Sequence, residues 1–476
     1  MTGSVVHASR PRLAVLFDHA AVSPLQLREA LGDHCELIWV VDASLSEAPS
    51  VRLLERLGTV VDITGMGTDE VVTAVRAAAP DGVVGFSDRR IHLAALLADR
   101  LGLVGLSPAS AATVVDKFHQ RAAFAAAGLP GPRSWRVGAA DADAVAAALT
   151  GARFPVIVKP EIGEGSRHVE AAADVERLRE LLAAADRSGR DSVVEEFIEG
   201  DPDFHPELGD YLSVESVVSG SVTSHLALTG RLPVAEPFRE TGFFMPAAID
   251  DELRSQVLDL ATAAIAALGI EAGCLHTEIK LTPTGPQVIE VNARLGGGMA
   301  DLLSLVSDVD LFEIAARVAL GESVVFERPV PNTGIAYLFY AQAPKTAQRV
   351  FDIAGLDELG RAEGVVGLTL NRPPGSLLDW RDGNHGYVYS VLGSTTGLDE
   401  MLAFSRTVGE TVVVTYEQPH ETDAAAAARP VRERWLEVAR RRAAPKSPSV
   451  PPASLVWVFG LVSPWIPSIA DVVLSA

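Results

Sequence analysis

From residue 12 to about 110, short β-rich apolar runs alternate with stretches whose apolar residues fall three and four apart. Leu13-Ala14-Val15-Leu16-Phe17, Leu37-Ile38-Trp39-Val40-Val41, Val60-Val61-Asp62-Ile63 and Val83-Val84-Gly85-Phe86 are the strand candidates. Leu25 to Leu31, Val51 to Leu57 and Glu70 to Ala79 are the helices between them. Strands alternating with helices predict a parallel sheet covered on both faces. Such sheets take ligands at their carboxyl edges, but no Gly-x-Gly-x-x-Gly follows the first strand, so a dinucleotide role is not expected.

A second mixed segment begins near Thr333. Strand-like runs occur at Ile335 to Tyr340, Gly364 to Leu370, Gly386 to Val391 and Thr411 to Tyr416. Glu421 to Ala428 is alanine-rich and polar, a linker or a helix start. Arg432, Arg434, Arg440, Arg441 and Arg442 then precede a Pro/Ser stretch, and Ser454 to Ala470 carries no charge. Basic residues before about 20 uncharged ones can mark a membrane anchor. Pro464 and Pro467 interrupt this one and Ser463 and Ser468 dilute it, so a packed or disordered tail is preferred to an interfacial contact or a span.

The length of 476 residues is too great for one core and suggests roughly three domains at about 150 residues each. The net charge of -22 argues against unaided nucleic-acid binding, which needs clustered positive charge. Cys35 and Cys274 are far apart and fit no metal or redox spacing, so both are expected as buried small hydrophobes. Met1 to Arg10 is polar and the next apolar run stops at Asp18, unlike a secretory leader; the cytoplasm is the expected location.

The chemistry lies between Asp116 and about Leu320. Asp116-Lys117-Phe118 opens a helical stretch, Arg121 to Ala127, that ends at Gly128-Leu129-Pro130. Phe154-Pro155-Val156-Ile157-Val158-Lys159-Pro160 reads as a strand delivering an ammonium to a fixed point. Gly163-Glu164-Gly165-Ser166-Arg167 follows, and closely spaced glycines let backbone N–H groups approach phosphate oxygens. Val193-Val194-Glu195-Glu196-Phe197-Ile198-Glu199-Gly200 is a strand ending in acids, suited to a hinge whose edge hydrogen-bonds an adenine.

The most specific feature is His276-Thr277-Glu278-Ile279-Lys280 followed by Val288-Ile289-Glu290-Val291-Asn292-Ala293-Arg294 and Gly296-Gly297-Gly298. Residues two apart on a strand share a face, so Glu290 and Asn292 project together and Glu278 can join them from a neighbouring strand. Three oxygen donors on one face suit magnesium, which shares its ligands with substrate phosphates. Arg294, two residues on, points toward the same site and could hold a developing phosphoryl charge.

Together these strings resemble the ATP-grasp superfamily, and within it carboxylate–amine ligases similar to L-amino acid ligases. Asp116-Lys117, Val158-Lys159-Pro160, Glu195-Glu196-Phe197-Ile198 and Glu290-Val291-Asn292-Ala293-Arg294 carry the resemblance. Lys280-Leu281-Thr282-Pro283-Thr284-Gly285-Pro286 looks like the hairpin between the metal-binding strands, and the Gly367 to Tyr389 region is similar to the small C-terminal domain. The resemblance implies a mixed α/β and α+β chain. A Rossmann-like pre-ATP-grasp domain would span 1–112 and a two-lobed ATP-grasp domain 113–322, with its lid lobe at about 150–200. A small C-terminal α+β domain would cover 323–418, followed by a linker and apolar tail at 419–476.

It also implies roles. Lys117 and Lys159 would contact ATP phosphates, Gly163, Gly165 and Ser166 would form the lid, and the Glu195, Glu196, Phe197 and Ile198 run would receive the adenine through the backbone at Glu196 and Ile198. Glu278, Glu290 and Asn292 would hold Mg2+, or Mn2+ in its place. Arg294 would act with Lys159 on the transferring phosphoryl and acyl groups. The implied partners are a small-molecule carboxylate and amine, with a homodimer as a family-level expectation. Two other readings stand beside it, a carboxylase or purine-biosynthesis ligase and a non-catalytic nucleotide-binding regulator. His168 stands where relatives commonly place Gly, and the usual ribose-binding Glu is absent after Gly200, leaving Asp201, Asp203 and Glu215 as candidates. His225, Arg231 and Arg239 are expected near the acceptor substrate.

Overall fold

The computed structural model describes residues 10–18, 22–44, 48–137, 149, 151–330 and 333–417; the alanine-rich stretch and the basic-then-apolar tail lie outside them. The N-terminal sheet is parallel, in the order Thr59–Asp62, Glu36–Val41, Arg12–Leu16, Gly82–Gly85. Its central run is apolar without alternation because both faces are covered. Leu13 and Val15 pack with Leu27 and Leu31, while Ala14 and Leu16 pack with Val71 and Val75. At Gly82 a Cβ would lie 2.6 Å from the carbonyl oxygen of Ala319, so glycine permits the sheet to meet the helix Leu311–Ala319.

A four-stranded antiparallel sheet follows, in the order Ser134–Val137, Ser192–Glu196, Val156–Pro160, Glu170–Ala172. Helix Val175–Asp186 seals one face with Leu178, Leu181 and Leu182, and Asp174 caps it by accepting the Arg177 N–H at 2.9 Å. The largest sheet has eight strands: Gly285–Asn292, Gly273–Thr282, Tyr211–Ser219, Val222–Arg231, Gly242–Met245, Ile335–Tyr340, Tyr389–Thr395 and Val365–Leu370. One face packs on helix Asp251–Ala267 through Val257, Ala261 and Ile265; the other packs against Met299–Val306 and Leu311–Ala319. The sheet runs without a break across residue 322, because Ile335–Tyr340 pairs directly with Gly242–Met245. The strand expected from Gly386 begins at Tyr389; the preceding Trp380–Gly386 instead forms tight 3-10 turns. Among the described residues, no helix is long and apolar enough to cross a membrane.

Gly285–Asn292 is an edge strand, and side chains from helix Lys117–Ala126 finish it. The Gln120 amide donates to the Val291 carbonyl at 2.9 Å and accepts the Val291 N–H at 2.9 Å, replacing a missing neighbour strand. The register slips between Glu278 and Ile279, so Ile289 forms a bulge. Arg121 donates to the Val288 and Ile289 carbonyls there, at 2.8 and 2.6 Å. The same guanidinium pairs with Glu195 of the smaller sheet at 2.8 and 3.2 Å. One buried cation therefore ties both lobes together. Arg121→Ala strands a buried carboxylate and two carbonyls, and is expected to lower stability by about 3–5 kcal/mol in chemical denaturation. Arg177→Ala, at a half-exposed ion pair, is expected to cost less than about 1 kcal/mol in the same measurement.

Candidate active site

The cleft between the two antiparallel sheets gathers the charged residues. Glu278 and Glu290 are register partners on adjacent strands, as are His276 and Asn292. All four side chains share the sheet face that looks toward the lid. The Asn292 amide donates to Glu290 at 3.3 Å. Lys117 reaches Glu290 at 3.2 Å and donates to the Gly163 carbonyl at 2.6 Å, so it touches both the acid and the glycine loop. Lys159 arrives from the opposite sheet and pairs with Glu195 at 2.7 Å.

Burial works against ionising Glu290, yet Lys117 and Lys159 outweigh it and hold the carboxyl at about 2. Burial likewise opposes charge on Glu195, and Arg121 with Lys159 brings it to about 2. The cost of burial pushes the Lys159 ammonium down despite Glu195. Arg294 donates from Nε to Asp88 at 2.7 Å and from a terminal nitrogen at 2.7 Å. Asp88 overcomes the burial penalty and raises the guanidinium's affinity for its proton.

Among the described residues, no three His, Cys, Asp or Glu side chains gather into a metal-binding group. Two carboxylates and one amide on a single face are too few for a closed protein cage. They fit a magnesium ion that completes its shell with phosphate oxygens and water.

The glycine loop lies above this face. Gly165, Ser166 and His168 have φ of 63°, 56° and 57°. His168 thus occupies the left-handed backbone that glycine adopts most readily. The Phe197 N–H bonds to the Pro155 carbonyl at 3.2 Å. The Glu196 side chain is taken up by Arg133 and by the Arg153 N–H, within the smaller sheet.

Several expectations placed residues elsewhere. His225 lies on the opposite sheet face, bonded to Ser216 at 2.9 Å and Thr262 at 2.8 Å, so it does not reach the cleft. Strand alternation and the bulge between His225 and Ala227 put it there. Arg239 is taken up by the Glu236 and Ala343 carbonyls at 2.8 and 2.9 Å, which anchors it to the loop after Tyr340. Arg231 does face the site, fully buried, 3.0 Å from Ser213 and 3.3 Å from Glu240. Glu215 binds His276 at 2.8 Å and Ser213 at 2.9 Å deep in the sheet. Cys35 and Cys274 are buried, and burial pushes the Cys274 thiol up to about 12. Asp88 was missed, although Ser87-Asp88-Arg89 follows a strand at the carboxyl edge of a parallel sheet, where ligands collect.

A family profile described as ATP-grasp domain matches residues 152–301, a span holding Lys159, Glu195, Glu278, Glu290, Asn292 and Arg294. Residues 152–301 are thus an ATP-grasp domain by sequence. It is 30% identical over 313 residues to an uncharacterized protein, y4rH, of Sinorhizobium fredii, covering 63% of this chain and 61% of that one. It is 28% identical over 267 residues to alanine–anticapsin ligase of Bacillus subtilis, covering 52% and 56%. The chain thus matches about six-tenths of the length of these relatives. The fold resembles that of an L-amino acid ligase from Bacillus licheniformis, with a TM-score of 0.69, 22% identity, and 86% and 100% of the two chains covered.

The chain also carries a carboxyl pair between the strand Val156–Pro160 and the helix Lys117–Ala126. Glu161, one residue past Pro160, is hydrogen-bonded to Asp116, the cap of the helix that begins with Lys117. Arg136 braces Glu161 at 2.9 Å. Burial first, and then Asp116, raise the Glu161 carboxyl to about 7, with Arg136 opposing. An acid whose proton is held more tightly in the folded chain stabilises the fold fully below its ordinary range near 4.5. That contribution is lost as pH rises through about 7. Between those values the wild-type stability should carry a falling component that Glu161→Gln lacks, measured as denaturation midpoint against pH. An unchanged slope in the variant would rule this out.

Proposed function

We propose that this chain is an ATP-dependent carboxylate–amine ligase forming an amide or peptide bond between amino acids or amino-acid-like molecules. The observation that carries the reading is the pairing of Glu278 opposite Glu290, with Asn292 beside them and Lys117 and Lys159 close by. Alanine–anticapsin ligase and L-amino acid ligase, the names of two similar proteins, support the substrate class.

In this reading Glu278, Glu290 and Asn292 hold magnesium, with manganese as a substitute. The metal supplies charge neutralisation across the nucleotide phosphates. A carboxylate oxygen of the first substrate attacks the γ-phosphorus, the bond to the bridging oxygen breaks, and ADP departs. Lys159 and Arg294 hold the transferring charge by position and electrostatics, with little acid–base chemistry required. The neutral amine of the second substrate then attacks the acyl carbon, phosphate leaves with the bonding pair, and the new amide nitrogen gives its extra proton to the departing phosphate. Asp88 acts on Arg294 by fixing the plane of its guanidinium. The Gly163 to Ser166 loop keeps water from the acyl phosphate. Backbone at Glu196 and Ile198 receives the adenine, beside Glu195 and Phe197. In the same reading the chain divides into 1–112, 113–322 and 323–418, with the eight-stranded sheet shared across the second boundary.

Phosphate release and product mass, screened over pairs of L-amino acids, test the reaction. The wild type should give ADP, phosphate and an amide in equal amounts for at least one pair. A carboxylase would consume bicarbonate instead, and a regulator would bind MgATP without forming ADP. Glu290→Ala should lower ADP formation by at least about a hundredfold while leaving the circular dichroism spectrum unchanged. Normal turnover in that variant would refute the metal assignment.

A further inference from the structure

The segment Trp380–Gly386 rests on the glycine loop. Gly383 has φ 63° and ψ −135°, and a Cβ there would sit 2.1 Å from the Gly165 carbonyl oxygen. On the other side, a Cβ on Gly165 would meet the His385 ring at 2.9 Å. The two backbones thus interlock through glycines at both contact points. The Asn384 N–H donates to the Gly165 carbonyl at 2.8 Å, a bond between segments 219 positions apart, as the numbers 384 and 165 show.

The Asn384 side chain reaches in the opposite direction. Its oxygen accepts the Glu240 N–H at 2.9 Å, and its amide donates to Glu240 Oε2 at 2.6 Å. The second Glu240 oxygen faces Arg231 at 3.3 Å. Gln342 closes the cluster, donating to the Glu240 carbonyl at 3.0 Å. Arg231 continues through Ser213 and Glu215 to His276, which is 3.6 Å from Glu278. A continuous polar path therefore runs from the carboxylates of the cleft to the loop above it, and Asn384 is its one member bonded to both Glu240 and Gly165.

We propose that Asn384 is a positioning residue that couples the buried Arg231–Glu240 ion pair to the glycine loop, setting the loop's closed position from the state of that pair. In a ligase the coupling serves to keep the acyl phosphate from water until the amine is seated; this part rests on the function proposed above. An amide side chain suits the role because it offers both a donor and an acceptor to one residue, which a carboxylate or a hydroxyl cannot do in the same geometry.

Hydrogen–deuterium exchange of the full chain tests this, without nucleotide and with MgAMP-PNP. In Asn384→Ala, which keeps the backbone bond to Gly165 but loses both side-chain bonds to Glu240, amides of Gly163 to Val169 should exchange at least about fivefold faster in both states. Exchange in the distant Arg12–Leu16 strand should not change, which separates a local latch from general loosening. Asn384→Asp should open the loop further by placing two carboxylates together. Adding Glu240→Gln should restore slow exchange by returning a donor to the pair. Unchanged loop exchange in Asn384→Ala, or no rescue in the swapped pair, would overturn the proposal. A wild type in which MgAMP-PNP protects no amide would refute the ligase reading instead, while the nucleotide-free comparison would still decide the role of Asn384.

Discussion

Two carboxylates placed directly opposite each other on neighbouring strands repel, and burial makes the repulsion worse. Glu278 and Glu290 are held in that arrangement, and the protein answers it with cations drawn from elsewhere. Lys117 comes from the start of a helix, Lys159 from the other antiparallel sheet, and Arg294 from the turn after the edge strand. Each is tied by a partner of its own: the Gly163 carbonyl, Glu195 and Asp88 respectively. The geometry of the cleft follows from this need to balance charge in a place where water is scarce. In the proposed function, a divalent cation and a polyphosphate would enter this site together, adding positive and negative charge at once.

The same constraint explains why the lobes are joined so firmly at a few points. Arg121 binds the bulge carbonyls on one sheet and Glu195 on the other, so the lysine that faces the cleft is oriented through a buried chain of ion pairs. The N-terminal sheet enters the same arrangement through Asp88, at the start of helix Asp88–Leu101. Glu164 of the glycine loop lies close by, 3.4 Å from Arg89, so the loop meets charged groups from both sides. The C-terminal segment meets it through backbone contacts at Gly165.

Much of this was legible in the chain because its signals are local. Alternation in Glu290-Val291-Asn292 put two polar groups on one face, and the strand boundaries of the N-terminal sheet lie within a residue or two of those read from apolar runs. What depended on distant partners was not legible. Asp88 is 206 positions from Arg294, and no periodicity connects them. The bulge at Ile289 that brings Glu290 opposite Glu278 leaves an ordinary β-branched sequence. His225 illustrates the converse: a polar residue in a strand reads the same whichever sheet face it takes, and here the register sends it to the far side. Asn384 carried no signal either, since it lies in a 3-10 turn, Trp380–Gly386, ahead of the apolar run that was read as a strand from Gly386.

The account rests on the paired acids meeting a metal ion. Crystals grown with MnADP and measured at a wavelength sensitive to manganese test it most directly. A strong anomalous peak bounded by Glu278, Glu290 and the Asn292 oxygen, beside the nucleotide phosphates, is the predicted result. A bound nucleotide whose manganese lies away from all three side chains would contradict it.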